Sequence, residues 1–211
     1  MWLRLITAVV AGTTAVVATP VQAQTKIDIA PHLGMYFPFN PVVHEGATNL
    51  TMRQVSAVVV GGRVAVHIAK HWMLETTLNY TPSMVAVSHN EQTVDISGGV
   101  FLASARGALR IGRLKPKTPE LQLGAGVGMV NRVGNAWRDR KGTTDPALVF
   151  GLAGRYPLSK HMPINVRVEI ENYITRAQFV PADGGTSTAR RNHDTVWSVG
   201  FEIPMNDRVD H

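Results

Sequence analysis

The 211-residue chain contains no cysteine, which removes disulfides, thiolate metal sites and lipid attachment at an N-terminal cysteine from consideration. Beyond its first two dozen residues it has no apolar run of 18 or more, so it is not a helical membrane protein. Its basic excess, a formal charge of +6, forms no block: Arg138, Asp139, Arg140 and Lys141 mix signs. Scattered charge of this kind does not predict a nucleic-acid partner. In an exported protein it predicts generic attraction to lipopolysaccharide phosphates or another anionic surface. The histidines are dispersed, with no two at a spacing that aligns them on one metal ion, so neither a metal nor a cofactor is expected. The run Gly124-Ala125-Gly126-Val127-Gly128 lacks the lysine and serine or threonine that a phosphate loop needs, and is read as a strand.

The N-terminus has the layout of a secretion signal. Arg4 precedes an uncharged, largely apolar stretch from Leu5 to Ala18, followed by small residues at Val21 and Ala23. Cleavage between Ala23 and Gln24 is expected, leaving one domain over residues 24–205 and a short tail, 206–211.

Within that domain the apolar residues alternate rather than cluster, although hydrophobic types make up 45% of the chain. Trp72, Leu74, Thr76, Leu78 and Tyr80 fall on one face and Met73, Glu75, Thr77 and Asn79 on the other, the period of two of a strand. Residues 164–173 repeat the pattern, with Ile164, Val166, Val168 and Ile170 opposite Asn165, Arg167, Glu169 and Glu171. So do 195–204, 121–129 and 148–155, and, with small residues blurring the alternation, 26–37, 56–69 and 95–111. Eight strands result, most of them longer than those of soluble sheets. Short connections at 70–71, 113–119 and 159–162 alternate with long polar ones at 40–53, 81–93, 133–145 and 180–193.

A strand-based structure in hydrocarbon must close on itself, because no water is there to satisfy an open edge. The expected fold is therefore all-β, an eight-stranded antiparallel up-and-down transmembrane β-barrel with its apolar face toward lipid. Arg63, Glu75, Arg106, Arg110, Arg155, Arg167, Glu169, Glu171 and Glu202 then point inward, where opposite charges can pair into a plug rather than a channel. Gly61, Gly99, Gly124, Gly126, Gly128 and Gly151 are expected inside, where room is least. Tyr36, Phe37, Trp72, Tyr80, Tyr156, Tyr173 and Trp197 are expected in belts at the membrane interfaces.

The opening strand from Ile27 to Tyr36, the glycine-alternating Leu123 to Gly128 and the closing Ser198-Val199-Gly200-Phe201-Glu202-Ile203 resemble the outer-membrane β-barrel domain superfamily, the OmpA/OmpX-type group, over nearly all of residues 26–205. That resemblance implies a place in the bacterial outer membrane, contact with its lipid and lipopolysaccharide, and insertion by the barrel-assembly machinery. Ser198, Gly200, Ile203 and Met205 match the spacing of the signal which that machinery reads in the last strand, with Met205 standing where an aromatic residue is usual.

The expected function is non-enzymatic: an envelope or surface-interaction role exercised through the long loops, which could contact an extracellular ligand. Two alternatives are an anion conduit lined by Arg63, Arg106, Arg110, Arg155 and Arg167, and a lipid-modifying enzyme. Against the enzyme, His44, His67, His71, His89, His161 and His193 include none with a serine two residues away on the same strand, the arrangement that places nucleophile and base on one face.

Overall fold

The computed structural model describes residues 26–45, 50–89, 92–111, 119–138, 140–141, 143–158, 164–177, 180–181 and 190–205. The cleavage site at Ala23 and Gln24, the tail 206–211 and most of the turns 113–119 and 159–162 lie outside the described residues.

Eight long strands carry the fold: β1 (Ile27–Pro38), β2 (Ala57–His67), β3 (Trp72–His89), β4 (Gln92–Ile111), β5 (Glu120–Val133), β6 (Thr144–Pro157), β7 (Asn165–Ala177) and β8 (Arg190–Pro204). Each pairs antiparallel with the next, and β8 returns to β1 in a register running from Asp28↔Pro204 to Pro38↔Asp194. The sheet thus closes as an eight-stranded up-and-down barrel. Both termini of the ring and the β2–β3 turn lie at one end, called the lower end. There Ala69 and Trp72 exchange backbone hydrogen bonds across the two-residue loop Lys70-His71.

The alternation in the sequence becomes an inside and an outside. Along β3 the odd-numbered Met73, Glu75, Thr77 and Asn79 are buried, while Trp72, Leu74, Leu78 and Tyr80 are exposed. Leu33, Val60, Phe101, Val127, Phe150, Val168 and Val199 continue the exposed apolar band around the ring. A continuous apolar girdle of this kind is stable against hydrocarbon and not against water. Among the described residues no helix is long and apolar enough to cross a membrane, and a closed ring of strands is the other arrangement that satisfies its backbone in hydrocarbon.

Several sequence expectations need correction. Within the stretch 81–93 read as a loop, residues 81–89 and 92–93 are strand: β3 and β4 stay paired from Thr81↔Val100 up to His89↔Gln92, projecting above the barrel. The alternation persists there, but with smaller, more polar residues that read as a connection. The stretch 40–53 also contains strands, Val43–Glu45 and Leu50–Gln54, the second of which pairs with β3. Within 133–145, Asn135–Trp137 forms a single 3-10 turn and Arg140–Lys141 pairs with Val180–Pro181.

Two face assignments also change. Tyr36 and Tyr173 point into the lumen, both fully buried, rather than into an interfacial belt. The belt positions Trp72, Tyr80, Tyr156 and Trp197 are exposed on the outside, and Phe37 packs edge-on against Trp197. Gly99 faces outward, where a Cβ would meet the Tyr80 ring at 3.2 Å; Gly98 takes the inward place, against Trp137.

Candidate functional site

The lumen is layered, and the layers follow from which residue types the inward parity of each strand supplies. Its centre is ionic. Arg106 on β4 places Nη2 at 2.8 Å from Glu75 and 2.7 Å from Glu169, and Nη1 at 3.0 Å from Glu171. Arg167 on β7 reaches Glu75 at 2.8 Å and Glu169 at 2.9 Å, and donates to Gln122. Arg63 on β2 pairs with Glu169, lies 3.7 Å from Glu171 and donates to Thr77. Arg167, Glu169 and Glu171 alternate along one strand face, so a cation sits two residues from an anion. Facing strands provide the other partners. The network holds three guanidiniums among three carboxylates, each flanked by opposite charge, the condition under which buried ions are tolerated.

Glycine on the facing strands makes room for these long side chains. A Cβ at Gly151 would collide with Nη1 of Arg106 and come within 3.2 Å of Glu169, and one at Gly124 would touch the same guanidinium at 3.7 Å. Gly124 and Gly151 thus cradle the Arg106 side chain, whereas Gly126 and Gly128 let β5 lie close against the β4 backbone.

Toward the lower end lies a second group. Arg155 binds Glu202 at 2.6 Å and Glu120 at 3.4 Å, and Arg110 binds Glu120 at 2.5 Å. His67 Nε2 lies 2.6 Å from Asp28, and Arg110 Nη1 lies 3.4 Å from Nδ1 of the same ring. With Arg110 donating to Nδ1, the imidazole is the tautomer that donates to Asp28 from Nε2. Above the central network comes an apolar layer of Tyr36, Val59, Val100, Leu102, Val130, Val149, Tyr173 and Val196. A third polar group follows near the upper end, where Arg132 binds Asp145 at 3.0 Å and Asp194 at 2.8 Å, and the Tyr36 hydroxyl donates to Asp194. Val42, Met52, Val85, Ala136 and Trp137 form an apolar cluster over the mouth of the barrel.

All nine charged residues assigned to the interior from sequence lie on the lumen side, and the structure brings them into two contiguous groups. Sequence reasoning missed Asp28, Glu120, Arg132, Asp145 and Asp194. Asp28 was legible as an inward position of β1. Arg132 becomes legible once the Gly126, Gly128, Val130 alternation is continued two residues further, whereas Asp145 and Asp194 were read as loop. The histidines do not gather: His67 is in the lumen, His71 and His89 lie at strand connections, and His193 faces outward from β8 beside Asn172. The side chains of His44 and His161 are outside the described residues. Ser198 and Gly200 point inward on β8 and Ile203 outward, with Met205 following the strand. Among the described residues no group of three or more His, Asp or Glu is placed to hold a metal ion.

No protein-family model and no curated protein matches the sequence. The three-dimensional structure does have counterparts. It resembles the outer membrane protein OprG from Pseudomonas aeruginosa with a TM-score of 0.62 at 12% identity, over 85% of this chain and 96% of that one. The fold is that of a small outer-membrane β-barrel. Two further barrels of this kind are similar at a TM-score of 0.54: Neisserial surface protein A, at 8% identity over 84% of this chain and 96% of that one, and AlkL in DMPC lipid bilayers, at 11% identity over 89% and 94%. At these identities the likeness to the three outer-membrane barrels is one of architecture.

Proposed function

We propose that the protein is a closed, non-enzymatic barrel of the bacterial outer membrane that acts by displaying the sheet formed above its mouth. The observation that carries this reading is the combination of a filled lumen with a folded superstructure. The apolar layer around Leu102 and Val130 is fully buried, and the β3–β4 hairpin with Leu50–Gln54 continues well beyond the belt marked by Tyr80 and Trp197. A narrow barrel filled by side chains serves as an anchor, and an ordered sheet on a rigid anchor holds a contact surface in place.

Against the conduit alternative stands the pairing of Arg63, Arg106, Arg110, Arg155 and Arg167 with carboxylates, which leaves little field for a passing anion. Against the enzyme stands the placement of His193 outside and Asp194 inside the same strand. Insertion by the barrel-assembly machinery through Ser198, Gly200, Ile203 and Met205, and prior removal of residues 1–23, belong to the same proposal.

Two measurements test it. In planar bilayers the folded protein gives no stable conductance steps; reproducible channels would refute closure. Cells lacking the protein are complemented with wild type or with a variant whose residues 85–96 are replaced by a two-residue turn closing on the pair Met84↔Ser97. The variant restores heat-modifiable migration and resistance to detergent but not adherence to protein-coated surfaces. Full adherence by the shortened variant would refute the hairpin as the working part.

A further inference from the structure

The outer face of the β7–β8 seam changes character along its length, and the register makes the change easy to follow. From the lower end upward the outward-facing rows are Val166 with Phe201, Val168 with Val199, Ile170 with Trp197, Asn172 with Thr195, Ile174 with His193, and Arg176 with Arg191. The first three are apolar. The fourth and fifth are joined by hydrogen bonds: Asn172 Nδ2 donates to Thr195 Oγ1 at 2.6 Å, and its Oδ1 lies 3.3 Å from His193 Nδ1. The last sets two exposed guanidiniums directly opposite one another.

Like charges opposite each other across a strand pair repel. Among the described residues neither Arg176 nor Arg191 has an ion-pair partner; the strand carboxylates Asp145 and Asp194 at this end point inward and are held by Arg132. Other outward rows at this end differ. Met129 pairs with Pro146 and Asn131 with Thr144 on β5–β6, and Arg53 shares its row with Ala86 and Asp95. An unneutralised basic pair above a strip of apolar side chains is complementary to an amphiphile with an anionic head, and a phosphate is the group two guanidinium forks share best.

Height selects the amphiphile. Arg191 stands six residues along β8 from Trp197, about 20 Å of strand and about 15 Å along the barrel axis at a tilt near 40°. A phospholipid headgroup layer is only about 5–7 Å deep on each side of the hydrocarbon. A phosphate carried on the sugars of a glycolipid reaches the arginines, whereas a glycerophosphate lies near Asn172 and Thr195.

We infer that the outer face of β7–β8 is a binding site for a phosphorylated glycolipid of the outer leaflet. Arg176 and Arg191 share a sugar phosphate, His193 and Asn172 meet sugar hydroxyls, and an acyl chain lies along Trp197, Val199 and Val168. This inference rests on the outer-membrane reading above.

The full chain folded into phosphatidylcholine vesicles is offered rough-type lipopolysaccharide, the same material after chemical dephosphorylation, or phosphatidylglycerol. Bound lipid is counted by native mass spectrometry and folding is read separately from heat-modifiable migration. The wild type retains the phosphorylated glycolipid, and Arg176→Gln/Arg191→Gln weakens retention by at least about tenfold with migration unchanged. Equal retention by the variant, or of the dephosphorylated glycolipid or phosphatidylglycerol by wild type, overturns the site. A protein that never inserts into vesicles overturns the membrane reading itself, and the site with it.

Discussion

Replacing Arg106 by methionine tests whether the centre of the barrel is held by charge pairing. The guanidinium lies within 3.0 Å of Glu75, Glu169 and Glu171. At that distance and an effective dielectric of about 20, each contact is worth about 5 kcal/mol of attraction, offset in large part by the several kcal/mol that burying the ions costs. Without Arg106 the three carboxylates are unequally affected. Glu75 and Glu169 keep Arg167, and Glu169 also keeps Arg63, whereas Glu171 retains only Arg63 at 3.7 Å and Asn79 at 3.3 Å. A buried carboxylate stripped of its main partner destabilises by about 3–5 kcal/mol. The double variant Arg106→Met/Glu171→Met removes one charge of each sign and leaves Glu75 and Glu169 balanced by Arg63 and Arg167, so it loses less than the single variant, by about 2 kcal/mol or more. The assay is urea unfolding in lipid vesicles, followed by the emission of the lipid-facing Trp72 and Trp197. A loss below about 1 kcal/mol for Arg106→Met, or a double variant equal to the sum of the two singles, would refute the pairing argument.

Five other substitutions probe three separate features by the same unfolding assay. Gly126→Ala sets a Cβ at 2.7 Å from the Cα of Arg106, a backbone atom with nowhere to go, and is expected to cost about 1–3 kcal/mol; Gly107→Ala, with nothing within 4 Å, is neutral or stabilising by up to about 1 kcal/mol. Tyr36→Phe deletes the hydroxyl that donates to Asp194 and costs about 1.5–3 kcal/mol, the range for a hydrogen bond to a charged group. Leu78 and Val94 are similarly exposed, at 65% and 61%, but Leu78 lies in the girdle and Val94 on the hairpin above it. Leu78→Arg is expected to cost about 2–4 kcal/mol and Val94→Arg no more than about 0.5 kcal/mol; equal effects would remove the girdle from the membrane.

The sequence by itself determined the two faces of the barrel wall. Side chains alternate across a strand, so once Glu75 or Glu169 is assigned inward its neighbours two residues away follow, and this holds for Arg63, Arg106, Arg110, Arg155 and Glu202 with no knowledge of partners. Eight strands and closure followed from the same periodicity, because hydrocarbon tolerates no open edge. What only the tertiary structure decided is which inward residues meet. Arg106 and Glu169 are 63 residues apart, and their contact depends on the stagger of the four strands β4 to β7 and on the space left by Gly124 and Gly151. The upper end was equally hidden, because Thr81 to His89 reads in sequence as a connection and is strand only by virtue of pairing across the hairpin. Tyr36 and Tyr173 were misread for a related reason. Aromatic residues suit an interfacial belt and a buried layer alike, and the choice between them is made by strand parity and by whether a partner such as Asp194 waits inside.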